Sequence, residues 1–142
     1  MRLSRFLVVL CVTTIGLVTG VVGQDRDQCS NASLHGSFGL RATGNTTSGG
    51  ALIVMGRFTF DGAGSLTAKL YTRTPTGANV VDTYTGTYSV DANCIVSDVW
   101  RSDSTGAETT HVSLLVNNGK GYYVLNTTED TGVIISGEAT RQ

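Results

Sequence analysis

Asp82 and Asp98 are the residues best placed to do chemistry, because each interrupts a run of alternating apolar positions. A carboxylate on an apolar face either accepts hydrogen bonds within the packing or serves a ligand as an orienting group or base. Tyr84 and Trp100 share the period-two positions of the two aspartates. Folding this stretch about Ala92 sets Val90 beside Cys94, Gly86 beside Asp98, Tyr84 beside Trp100 and Asp82 beside Ser102. In that register Tyr84, Asp98 and Trp100 form one wall, Gly86 leaves space beside the Asp98 carboxylate, and Asp82 stands nearer the entrance. An aromatic wall with one or two polar groups gives a small-molecule pocket its affinity and orientation. The packing alternative has Asp98 accepting from a tyrosine hydroxyl or the indole N–H. A one-residue slip of the strand would turn the same carboxylate into solvent.

The elements that must position these side chains are strands. Period-two alternation marks a half-buried strand, and it recurs in eight runs after residue 24. Leu34, Gly36, Phe38, Leu40 and Ala42 share the first face; Leu52, Val54, Gly56, Phe58 and Phe60 share the second. Leu66, Ala68 and Leu70 follow, and then Val80, Asp82, Tyr84, Gly86, Tyr88 and Val90. The later faces are Cys94, Val96, Asp98 and Trp100; Val112, Leu114 and Val116; Tyr122 and Val124; and Val133, Ile135, Gly137 and Ala139. Threonine is abundant throughout, as suits strands. Eight short-connected strands predict an all-β fold, an eight-stranded antiparallel up-and-down barrel, since closure removes both edges. The alternative is a two-sheet β-sandwich.

Connection lengths give the barrel two unlike ends. Connections 61–64, 91–93 and 117–121 are tight, whereas 43–50, 72–79, 102–108 and 127–132 are longer or more polar. Cys29 precedes the first strand and Cys94 opens the fifth, so both lie at the tight end. An even cysteine pair in an exported protein is read as a disulfide. The expectation is that residues 24–33 cap the barrel floor, stapled to Cys94.

Residues 1–23 read as a signal peptide: Arg2 and Arg5 precede an apolar run from Phe6 to Val22 with small residues at its end. Residues 24–142 then form one domain, secreted or otherwise extracytoplasmic, with no stable membrane insertion after cleavage. Removing Arg2 and Arg5 leaves 8 basic against 11 acidic side chains, and no basic cluster exists. Nucleic acid is therefore a poor partner. His35 and His111 fall opposite the apolar faces and are expected at the surface, as are Arg41 and Arg57. No metal site and no cofactor site is expected. The loop Gly44-Asn45-Thr46-Thr47-Ser48-Gly49-Gly50 lacks the lysine and helix of a phosphate loop. No nucleophile elbow is present, so no residue is assigned as catalytic. Asn31, Asn45 and Asn126 begin sequons that matter only in a host that glycosylates secreted asparagines.

Three segments carry a resemblance: Cys29-Ser30-Asn31-Ala32-Ser33-Leu34-His35-Gly36-Ser37-Phe38-Gly39, Gly56-Arg57-Phe58-Thr59-Phe60-Asp61-Gly62-Ala63-Gly64-Ser65-Leu66, and Gly86-Thr87-Tyr88-Ser89-Val90-Asp91-Ala92-Asn93-Cys94. Together they resemble small secreted bacterial proteins of calycin-like or allene-oxide-cyclase-like barrel type. The resemblance implies a barrel and a cysteine pair and transfers no catalytic residue. The functional expectation is a barrel that binds a small, partly apolar molecule at its loop-rich end, with Tyr84, Asp98 and Trp100 on the wall and Asp82 at the entrance. One alternative is a structural or envelope-associated module whose interior is filled by its own side chains. A third reading is an isomerase or cyclase with Asp98 as base.

Overall fold

Alternating threonine, valine and aromatic side chains favour extended backbone, and glycine, asparagine and aspartate break it at regular intervals. The protein is described by a computed structural model over residues 28–47, 50–129 and 132–142. The leader reading lies outside the described residues. A 3₁₀ turn (Asn31–Ser33) precedes eight strands: β1 (His35–Asn45), β2 (Ala51–Asp61), β3 (Ser65–Arg73), β4 (Asn79–Val90), β5 (Ile95–Ser102), β6 (Glu108–Val116), β7 (Gly121–Asn126) and β8 (Ile134–Arg141). Each strand pairs antiparallel with the next, and β1 also pairs with β8, closing the barrel. Because β1 bonds on both edges, the sandwich alternative is excluded.

Three local expectations are corrected. The β4–β5 register lies two residues from the predicted one: Val90 faces Val96, Tyr88 faces Asp98, Gly86 faces Trp100 and Tyr84 faces Ser102. The turn spends 91–94 rather than hinging on Ala92, with Cys94 in the left-handed region at φ 67° and Ile95 N–H donating to Asp91 Oδ1. A shift of two preserves every face, so the wall survives with different neighbours. Gly86 does not make room for Asp98. A Cβ there would lie 2.2 Å from the Val99 carbonyl oxygen, so glycine allows two strands to approach closely. The third correction concerns β6, whose apolar face points outward. Val112 and Leu114 are exposed, while His111, Ser113 and Leu115 are buried.

The tight half of the barrel is filled with aromatic side chains. Phe38 and Phe58 are fully buried. Phe60 meets Phe38, Tyr88 and Tyr122 edge-on at 5.6, 5.1 and 5.8 Å between centroids. Such edge-to-face pairs each contribute roughly 0.5–1.5 kcal/mol beyond burial. Leu34 is buried, and the Tyr88 hydroxyl donates to its carbonyl at 2.8 Å. Asn31 Oδ1 accepts from Val90 N–H at 2.8 Å, and its amide donates to the Ala63 carbonyl at 3.2 Å. A disulfide joins Cys29 to Cys94. The segment from residue 28 thus forms the floor; residues 24–27 of the expected cap lie outside the described residues.

The β2–β3 turn is organised by one carboxylate. Asp61 Oδ1 accepts from the backbone N–H groups of Ala63, Gly64 and Ser65 at 2.7, 2.9 and 2.9 Å. These bonds, Ser65 first, hold Asp61 below its ordinary value of 3.8. A depressed carboxyl stabilises the fold above its unfolded pKa, and that stabilisation is lost as pH falls through the folded one. In a melting-temperature profile taken from neutral pH to below pH 3.8, Asp61→Asn should lose less stability than the wild type. Parallel profiles would contradict this role.

Candidate functional site

The inward faces of all eight strands converge above the aromatic layer on a cavity of about 130 Å³. It lies toward the connections 46–50, 74–78, 103–107 and 127–133, the loop-rich end. One side is aliphatic: Leu40, Leu52, Val54, Leu70 and Ile135. Tyr84 and Trp100 supply aromatic surface, and Thr109, His111 and Asn126 form a polar arc on β6 and β7. The arc is built by register, since His111 faces Asp98 across β5–β6 and Asn126 across β6–β7.

Trp100 stacks on the His111 ring at 3.5 Å between centroids, with 24° between planes. The opposite neighbour of Trp100 is Phe58, at 4.6 Å. His111 is only 6% exposed, and its Nδ1 lies 2.9 Å from Asp98 Oδ1. Its Nε2 lies 3.2 Å from Asn126 Nδ2. Asn126 is oriented by its other end, because Thr128 N–H donates to Oδ1 at 3.2 Å. Its NH₂ group therefore faces the imidazole, so Nε2 accepts and the ring proton resides on Nδ1, where it donates to Asp98. The Nε2 lone pair is thus taken by the Asn126 amide.

Burial pushes the Asp98 carboxyl above its ordinary value, and the bond from His111 opposes that shift. The Trp100 indole N–H also favours the Asp98 charge but falls outside hydrogen-bond geometry. The Tyr122 hydroxyl is pushed well above 10.0, first by burial and then by the Asp98 charge. Asp98 is thus held one layer beneath the cavity and reaches it through His111.

Asp82 occupies a different setting. The hydroxyls of Ser102 and Ser104 donate to its Oδ2, and these bonds, Ser102 first, keep its carboxyl below the ordinary value. Ser102 Oγ in turn accepts from Thr105 N–H at 3.1 Å. Asp82 therefore anchors the 103–107 connection at the rim. The Tyr84 hydroxyl is raised above 10.0 by burial and then by the Asp82 charge.

No protein-family model matches the chain. No curated protein matches it either. Solved structures do share its architecture. A de novo designed transmembrane β-barrel is similar at a TM-score of 0.62 and 12% identity, covering 75% of this chain and 95% of its own. A de novo designed fluorescence-activating β-barrel is similar at 0.54 and 17% identity, covering 78% and 94%. A redesigned β-barrel, mFAP1, bound to DFHBI, is similar at 0.55 and 17% identity, covering 78% and 97%. At these identities the likeness shows the fold alone and assigns no family.

Of the four residues named from sequence, Tyr84 and Trp100 line the cavity, Asp98 supports it from below and Asp82 stands at the rim. Sequence reasoning missed His111 and Asn126. Their signal was the hairpin itself. The β5–β6 register pairs Arg101 with Glu108 and so sets His111 opposite the inward Asp98, although a shift of one residue would have set Val112 there. Asn126, read only as the start of a sequon, has its side chain committed to the interior.

Proposed function

We propose that this protein is an extracytoplasmic barrel that binds a small, partly apolar molecule in the cavity at its loop-rich end. The observation that carries the reading is the partly open, mostly apolar volume of about 130 Å³ bounded on one arc by His111, Asn126 and Thr109. Pockets for drug-sized ligands run to roughly 300–1,000 Å³, whereas a cavity of roughly 150 Å³ takes a benzene ring. A single ring is therefore the matching size. The filled-interior alternative describes the tight half, where Phe38, Phe58, Phe60 and Tyr122 leave no such space.

Further features favour a soluble binding module. Arg41, Arg57, Lys69 and Glu138 are exposed on outward faces of their strands. These charges interrupt an outer face that also carries Met55, Tyr71, Val81 and Tyr123, and an unbroken lipid-facing belt does not hold charges at its middle. The Cys29–Cys94 disulfide fits an oxidising compartment. The barrel bound to DFHBI is a precedent for the architecture, while the reading for this chain rests on its own cavity.

Toluene is expected to raise the melting temperature of the wild type in a concentration-dependent way. Ala42 is buried and lines the cavity, so Ala42→Leu fills part of that space and should weaken toluene binding at least about tenfold. A wild type that toluene leaves unshifted, or a variant that binds it equally well, overturns the reading.

A further inference from the structure

The geometry points to a narrower ligand class: neutral, single-ring compounds bearing one hydroxyl or N–H donor, held by donation to His111 Nε2. This rests on the binding reading above and adds the chemistry of recognition.

The acceptor is preset. Thr128 N–H pins Asn126 Oδ1 at 3.2 Å, so the amide keeps its NH₂ toward His111 and the imidazole proton stays on the Asp98 side. A ligand without a donor leaves the 3.2 Å Asn126 contact to Nε2 in place, whereas a ligand hydroxyl or N–H exchanges that long contact for its own hydrogen bond, and this exchange is the source of the discrimination. The existing partner of Nε2 can yield. Asn126 Nδ2 also donates to Thr128 Oγ1 at 3.4 Å, and Oδ1 keeps its own bond, so a ligand donor can replace one contact without turning the amide over.

Access is restricted to one direction. Trp100 covers one face of the imidazole at 3.5 Å and Asp98 occupies Nδ1, so Nε2 is the ring nitrogen a ligand donor can take over from Asn126. A flat ring lying against the aliphatic side, with its donor toward β6 and β7, satisfies both surfaces. Charge excludes the obvious competitors. Among the described residues no lysine or arginine lines the cavity, and the Asp98 carboxyl lies directly behind the imidazole. A carboxylate or phosphate ligand would find no counter-charge and an acceptor already facing it.

The test uses the oxidised protein at pH 8 with phenol, toluene and benzoate as probes. Phenol should bind at least as tightly as toluene despite the cost of desolvating its hydroxyl, and benzoate should bind neither probe's site measurably. His111→Phe keeps a ring against Trp100 and deletes the acceptor. The phenol-to-toluene affinity ratio should fall at least about tenfold in that variant. A readout on the wild type covers the case in which the variant does not fold. Saturating phenol should move the ¹⁵N resonance of His111 Nε2, and saturating toluene should leave it in place. Toluene binding with an unchanged ratio, or an Nε2 resonance indifferent to phenol, overturns this inference and leaves the cavity reading intact. Failure of both phenol and toluene to bind overturns the cavity reading itself.

Discussion

Reduction of the Cys29–Cys94 bond is expected to cost about 4 kcal/mol of stability, which for a domain of this size lowers the melting temperature by roughly 15 °C. The two cysteines are 65 residues apart, and the loop they close contains β1 through β4, half the barrel. On the chain-entropy account, a crosslink over that span removes much of the freedom of the unfolded chain. The native-state contribution has the same sign. Cys29 holds the segment that carries Asn31 and Leu34 against the open end of the aromatic layer. Gly119 closes the other side of that floor at φ 73°, where a Cβ would lie 2.3 Å from the Ser33 carbonyl oxygen. Thermal melts with and without reductant, alongside a Cys29→Ser/Cys94→Ser variant, measure the effect. Unchanged melting on reduction would show that the floor is held by its hydrogen bonds alone. The cavity lies at the opposite end, so toluene affinity measured well below the melting transition should not depend on the redox state.

The barrel was legible because its strands obey one rule, and that rule can be read without partners. The face of Leu34, Phe38, Leu40 and Ala42 has no competing apolar set on the opposite side, which carries His35, Ser37, Arg41 and Thr43. The unequal connections then separated floor from mouth before any contact was known. β6 escaped the rule because both its faces carry a plausible pattern. Its outer face holds Val112 and Leu114 beside the outward Tyr123 and Leu125 of β7, and its inner face holds Thr109, His111 and Ser113. Hydropathy chose the wrong one. What reverses the choice is pairing to Asp98, a non-local fact that composition does not encode. The site was half visible for the same reason. Tyr84 and Trp100 lie on strands whose faces were read correctly, whereas His111 lies on the strand that was inverted and Asn126 faces His111 across β6–β7.

Replacing His111 with leucine should destabilise the barrel by about 3 kcal/mol or more, because it leaves a buried carboxyl without its partner. Asp98 is buried and accepts a hydrogen bond from His111 Nδ1 at 2.9 Å. Leucine offers no donor, and the stacking surface against Trp100 is lost as well. The double variant Asp98→Val/His111→Leu removes both polar partners and should recover most of that loss, since a buried pair replaced by apolar groups is often near neutral. Acidity separates this account from simple misfit. Burial already raises the Asp98 carboxyl, and losing the opposing bond from His111 raises it further. A carboxyl raised in the folded state penalises folding above its folded pKa, and the penalty fades as pH falls toward the unfolded value. Both variants lack the imidazole, so the difference between them reports Asp98 alone. His111→Leu should trail the double variant most at pH 8 and approach it as the pH is lowered toward 4. A constant difference across that range would mean that the cost of His111→Leu is one of packing, and that no charge resides on Asp98 beneath the cavity.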